Sequence, residues 1–471
     1  MVHTKEQSTT QAQHSSKVLS DWRPEDPAFW QATGKQVATR NLWISIPCLL
    51  LAFSVWMVFS AVAVRLDDIG FPFSENQLFW LAALPGLSGA TLRIFYSFMV
   101  PIFGGRRWTA LSTASLAIPA LWMGLAVQDP TTSFTEFCVI ALLCGLGGGN
   151  FASSMANISF FYPKSQQGTA LGLNAGLGNL GVSVMQFAVP VVITVGAFAA
   201  VVGAPQRLPE GTELWLQNAG FIWLPFIAVF TVLAWFLMND LASARASLAT
   251  QAAIFRRKHQ WIMSYLYTAT FGSFIGYSAG FPLLIKTQFP EIDPLQFAFL
   301  GPMVGALIRP VGGWLSDRLG GARVTFWNFI VMIAAVFGVV GFLPNQTSSG
   351  EFWGFFTMFM LLFITTGIGN GSTFRMIPII FRTQHERWSA DQPEEAKATA
   401  LHAATTESAA TLGFSSAVAA YGAFFIPKAY GTSISATGGP VAALYTFVAF
   451  YATCLFVTWW FYSRKNAAIP C

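Results

Sequence analysis

Apolar residues in this chain gather into long runs separated by short polar, charged or Gly/Pro-rich breaks. Twelve runs, at 41–64, 77–101, 107–127, 135–160, 168–202, 219–238, 261–285, 295–315, 323–343, 352–381, 399–427 and 440–462, each approach the ~20 residues needed to cross about 30 Å of hydrocarbon. Pro190 interrupts the fifth run, which leaves room for an early end and an excursion outside the bilayer. The pattern predicts an all-α polytopic membrane protein with twelve transmembrane helices and both termini on one face. Residues 1–40 are polar and lack the apolar core of a signal peptide, so the first span is expected to be retained. The segment 239–260, with Arg245, Arg256, Arg257 and Lys258, reads as a linker between six-span halves at 41–238 and 261–463, and 464–471 reads as a short tail.

Composition sharpens the class. Charged residues make up 10% of the 471 and hydrophobic ones 54%, with mean hydropathy +0.53. An ordinary soluble domain is roughly 25% charged, so a soluble multidomain enzyme is excluded. The five cysteines (Cys48, Cys138, Cys144, Cys454, Cys471) lack ligand spacing and indicate neither a metal site nor a disulfide framework. Five histidines without ligand spacing argue against a membrane enzyme, and no metal or cofactor is expected. The net charge of +5 is no evidence for a nucleic-acid partner; its distribution says more. With the N-terminus inside, 19 Lys/Arg fall on inner segments, Lys5 among them, and only Arg65, Arg207, Lys286 and Lys428 on outer loops. The positive-inside rule then places both termini in the cytoplasm.

The halves share a repeat at an offset of 216. Gly89-Ala90-x-x-Arg93 matches Gly305-Ala306-x-x-Arg309, and Gly104-Gly105-x-Arg107-x-Thr109 matches Gly320-Gly321-x-Arg323-x-Thr325. Seven of the 21 positions from 89 to 109 are identical. A weaker echo links Gly145-x-Gly147-x-Gly149 to Gly367-x-Gly369-x-Gly371. Two pseudo-symmetric halves point to a rocker-type transporter with its site between them near the midplane. The stretch from Gly313 through Asp317, Arg318, Gly320 and Gly321 to Arg323 resembles the loop motif of the major facilitator superfamily, whose Asp pairs with arginines to latch one state. Pro101 stands where the first half would carry that Asp, so an asymmetric latch is expected.

Three basic residues remain, all inside apolar spans: Arg93, Arg309 and Arg375. Arg93 lies 13 residues before Arg106, roughly 20 Å along a helix, and Arg309 is similarly deep. An Arg at a helix centre costs on the order of 2.5–3.5 kcal/mol on the mildest scale, so each needs compensation. The membrane carboxylates reduce to Asp317, at a helix end, and Glu407, which enters span eleven from the cytoplasm. The arginines are satisfied either by helix carbonyls or, as the charge count favours, by a small anionic substrate. The planar fork of Arg suits planar or bidentate oxyanions. Phe53, Phe151, Tyr267 and Phe271 lie near that depth and offer flat faces and one hydroxyl. Arg375 is shallower and is expected to pair with Glu407 as a structural or gating contact.

Span five carries Gly168, Gly172, Asn174, Gly176, Gly178, Asn179 and Gly181, and span eleven carries Gly413 with Ser415, Ser416 and Gly422. Such glycines let helices approach and bend, and equivalent placement suggests a moving interface. These two helices resemble the paired nitrate signatures of the nitrate/nitrite porter family, the bacterial NarK-type branch of the major facilitator superfamily. The resemblance extends from Asp21-Trp22-Arg23-Pro24-Glu25-Asp26-Pro27 through Pro101–Trp108 and Asn150–Met155 to span twelve. It implies a bacterial inner-membrane porter taking up nitrate in exchange for nitrite, with nitrate/proton symport or nitrite export as alternatives. It further implies that Arg93 and Arg309 clamp the anion, with Asn179, Tyr267, Phe53, Phe151 and Phe271 around it; Asn174 is a further donor. Gating falls to Asp317, Arg318, Arg323, Gly176, Gly178, Gly413, Arg375 and Glu407. The expected partners are nitrate, nitrite and the lipid bilayer, and the expected unit is a monomer. The second signature departs from the pattern, with Ala417, Ala419, Ala420 and Ala423 where glycine is commoner.

Overall fold

The computed structural model describes residues 17–196, 203–208, 211–242, 244, 253–344, 350–467 and 469–471. Lys5 and Arg245, both used in the charge count, lie outside the described residues, as do linker positions 243 and 245–252. Eleven described helices are long and apolar enough to cross a membrane. They are α1 Pro27–Val62, α2 Glu75–Tyr96, α3 Gly105–Ala126, α4 Phe134–Phe161, α5 Lys164–Val192, α6 Asn218–Leu237, α8 Pro294–Leu319, α9 Gly321–Phe342, α10 Phe352–Trp388, α11 Glu394–Thr437 and α12 Val441–Ser463. The twelfth crossing, α7, is made of three joined pieces: Lys258–Tyr267, a π turn Thr268–Gly272, and Ser273–Gln288.

Local chemistry sets several boundaries. The Asp26 carboxylate accepts from the N–H groups of Ala28 and Phe29, and Pro27 fits the first turn, so α1 starts well before the apolar run. Residues 27–40, expected as tail, are therefore the opening turns of α1. Ser74 and Gln77 form a capping box at the start of α2. Helix α5 runs through Pro190 to Val192, and the excursion beyond it includes an antiparallel pair of β1 (Gln206–Arg207) on β2 (Glu213–Leu214). The repeat is visible in the backbone: Gly104 (φ 87°) and Gly320 (φ 90°) adopt the same left-handed-side conformation immediately before α3 and α9. Only glycine enters that region without strain, which explains its recurrence in both halves.

The six helices on either side of the linker meet most tightly at the end of the bundle away from the termini. There a Cβ on Gly86 would strike the α11 backbone at Ala423 and Phe424, and Gly431 sits against Phe79. Ion pairs close this end: Arg65–Asp293 at 2.6 Å, and Lys286 with Asp67 at 2.5 Å and Asp68 at 2.9 Å. Just below, Gln186 of α5 donates to Ser60 Oγ (2.9 Å) and to the Ser278 carbonyl of α7 (2.8 Å). At the termini end the opposite holds. Gly168, Gly172 and Gly176 of α5 and Gly413 of α11 have nothing within 4 Å of where a side chain would start. The described conformation is closed at the far end and open at the end bearing the termini.

Candidate functional site

Arg93 projects from α2 and is completely buried. Its Nε donates to the Gly148 carbonyl of α4 (2.9 Å) and its Nη1 to the Ser416 carbonyl of α11 (3.2 Å), so one guanidinium bridges the two halves. Its Nη2 has no hydrogen-bond partner among the described residues. Three ring faces surround its Cζ: Phe151 at 4.9 Å, Trp56 at 5.1 Å and Phe271 at 5.7 Å. Arg309, the repeat-related residue of α8, interacts electrostatically with Tyr267 and has its Cζ 5.1 Å from the Phe374 ring. Its Nη1 is likewise buried without a partner.

The aromatic residues form one wall. Tyr267 stacks on Phe271 (5.5 Å), Phe271 on Phe151 (6.4 Å), and Phe53 meets Phe151 edge-on at 6.1 Å. Tyr267 immediately precedes the π turn of α7 and Phe271 lies within it, and the extra residue of that turn rotates the following side chains relative to a straight helix. Asn179 is buried with an unpartnered Oδ1. Asn174 is buried with its Oδ1 likewise unpartnered among the described residues, while its Nδ2 donates to Ser154 (2.8 Å) and contacts Met155 on α4. An unpaired buried donor on a charged group costs at least about 1–3 kcal/mol, and the two arginines carry one each. Helix carbonyls thus satisfy Arg93 only in part. Sequence reasoning missed Trp56, Phe374 and the two carbonyl acceptors; the glycine run Gly147-Gly148-Gly149 was the available hint of a close approach to a large side chain.

Comparison with known proteins decides the family. The profile described as Major Facilitator Superfamily matches residues 44–386. The chain is 56% identical over 456 residues to the nitrate/nitrite transporter NarU of Escherichia coli strain K12, covering 96% of this chain and 98% of that protein. It is 42% identical over 462 residues to the probable nitrate/nitrite antiporter NarK2 of Thermus thermophilus, covering 96% and 98%. The chain belongs to the nitrate/nitrite porter branch of the major facilitator superfamily. Solved structures agree on the fold. A bacterial homologue of the lysosomal transporter Spinster, in an inward-facing and unoccupied conformation, aligns with TM-score 0.58 at 15% identity over 90% of this chain and 93% of that one. The nucleoside transporter NupG aligns with TM-score 0.58 at 10% identity over 90% and 98%.

The superfamily loop motif explains the remaining charged groups. In the second half Asp317 pairs with Arg375 of α10 at 2.5 Å, Arg318 lies 4.2 Å from the Trp314 ring, and Arg323 is exposed. The expected Arg375–Glu407 pair does not form. Glu407 instead pairs with Arg257 (2.6 Å) and lies 3.2 Å from His385 Nε2, because α11 turns that face toward the start of α7 and the His385 end of α10 rather than toward Arg375. In the first half, Asp240 takes over for the Asp missing at Pro101. It accepts from the Arg106 backbone N–H (2.8 Å) and Nε (3.2 Å) and lies against Gly104. The glycines divide as well: Gly178 packs on Leu49 of α1, whereas Gly176 and Gly413 face open space.

Proposed function

We propose that this porter takes up nitrate in exchange for nitrite, binding each anion between Arg93 and Arg309. The observation that carries the reading is the pair of repeat-related guanidinium groups, each with a buried, unpartnered N–H, and each without a carboxylate partner among the described residues. A planar oxyanion offers acceptors to both forks and a flat face to Phe151 and Phe271. Asn179 and the Tyr267 hydroxyl complete the lining. The halves are taken as 41–238 and 261–463 around the linker 239–260, in a bacterial inner membrane, as a monomer with both termini cytoplasmic. On that orientation the described conformation faces inward.

Exchange follows from charge. Reorienting two uncompensated cations through the membrane interior is costly, whereas an anion-filled site lowers that cost. Swapping one monovalent anion for another moves no net charge. The relatives named nitrate/nitrite transporter and antiporter support the substrates. Against proton symport, the buried Glu407 is tied to Arg257 and His385, away from the arginine pair. Proteoliposomes test the mode: nitrate uptake is expected to need internal nitrite or nitrate and to ignore an imposed potential. Equal uptake without internal anion, driven by a pH gradient, overturns exchange.

A further inference from the structure

Trp56 belongs to none of the groups expected to touch the anion, yet it organises the surroundings of Arg93. The indole is completely buried on α1. Its Nε1 donates to the Pro85 carbonyl of α2 at 2.7 Å, which fixes the ring in plane and in rotation. Two glycines exist in its shadow. A Cβ on Gly89 of α2 would run into Nε1, and a Cβ on Gly148 of α4 would meet Cε2 at 2.6 Å. The ring therefore sets how closely α1, α2 and α4 converge, and Gly148 supplies the carbonyl that accepts from Arg93 Nε. The same indole offers its face to the guanidinium, 5.1 Å from Cζ.

The repeat shows that the other half is built differently. Gly305, the equivalent of Gly89, faces Phe274, which has no donor to lock its rotation, and Arg309 takes its ring contact from Phe374 of α10 instead. Arg93 is completely buried while Arg309 is only partly so. The two guanidiniums are thus held with unequal rigidity.

We propose that Trp56 is a positioning residue: it fixes the Arg93 guanidinium, making Arg93 the rigid jaw of the clamp and Arg309 the adaptable one, and so sets anion affinity through Arg93. This rests on the substrate reading above. The ring face stabilises the cation without competing for the N–H groups that an anion needs.

Nitrate/nitrite exchange in proteoliposomes, measured as KM and as maximal rate per folded protein, tests the role. Trp56→Leu is expected to raise KM for nitrate about tenfold with a maximal rate within about twofold, and Trp56→Phe, which keeps a ring face but loses the Nε1 donor that locks it, to raise KM by less than Trp56→Leu does. Should Trp56→Leu fail to fold, Trp56→Met replaces it with the same expectation. An unchanged KM with a reduced maximal rate marks a scaffold role and overturns the proposal, as does a Phe variant no better than the Leu or Met one. A wild-type protein that exchanges neither anion overturns the substrate reading itself, and this role with it. Normal wild-type exchange beside unchanged variant KM overturns the role alone.

Discussion

Glu407 and Asp317 both pair with an arginine, but their surroundings give the two pairs different weight. The Glu407 side chain is 7% exposed and is shared between Arg257 and His385, whereas Asp317 and Arg375 are each about half exposed (53% and 50%). Removing one partner of a buried pair strands a charge and costs about 3–5 kcal/mol, while an exposed pair contributes about 0–1 kcal/mol. Arg257 is 31% exposed and keeps some water, which places Glu407→Gln toward the lower end. Thermal melts in detergent are therefore expected to show a clear drop for Glu407→Gln and almost none for Asp317→Asn; the reverse order contradicts the pairing. That Arg93, Arg309 and Arg375 stand inside apolar helices rather than in loops was legible in the sequence, because a chain this poor in charge makes every cation within an apolar run conspicuous. The partner of Arg375 was not. Residue spacing gives height along a helix, but pairing across α8, α10 and α11 depends on which way each helix is turned.

Glycines on one helix serve two purposes. On α5, Gly178 and Gly181 are pressed against α1, with Leu49 and the Leu50 carbonyl where a side chain would go, while Gly176 faces open space. Overpacking a tight contact costs typically about 1–3 kcal/mol. Gly181→Ala is expected to lower the melting temperature at little change in anion KM, and Gly176→Ala to leave it unchanged yet slow exchange, since that surface must meet its partner when the porter turns over. A Gly176→Ala variant with wild-type rates contradicts a moving interface there. The far-end closure makes a second element-scale prediction. Arg65–Asp293 and Lys286 with Asp67 and Asp68 cross between the halves, so Lys286→Gln is expected to favour opening at that end. A cysteine placed at Ser60, buried beneath the closure, then reacts faster with an impermeant maleimide added from outside; unchanged labelling contradicts the latch. The glycine spacing was readable in sequence, but its division into packed and open faces was not, because a transporter sequence serves both of its end states.

At the scale of the molecule, twelve apolar runs and a 216-residue repeat carry the fold, and the structure keeps both, down to the matching backbone at Gly104 and Gly320. The belt formed by the N-terminal segment was not legible. There Val18–Leu19 pairs in parallel with Asp240–Leu241, Trp22 donates to the Phe160 carbonyl (3.1 Å), and Glu25 accepts from the backbone N–H of Lys164 at the start of α5 (2.9 Å). Two-residue strands and a cap reached across 139 positions leave no periodic signal in a polar stretch. This belt ties the ends of α4, α5 and α6 together, in keeping with a half that moves as one body. What the halves carry between them rests on the two guanidiniums. Titration calorimetry of nitrate into the purified protein, with Arg93→Lys and Arg309→Lys beside wild type, tests that claim most directly. A charged hydrogen bond is worth about 1.5–3 kcal/mol, so each variant is expected to lose roughly tenfold to a hundredfold in affinity while remaining folded, with wild-type binding competed by nitrite. Unchanged nitrate affinity in either folded lysine variant contradicts the two-arginine clamp.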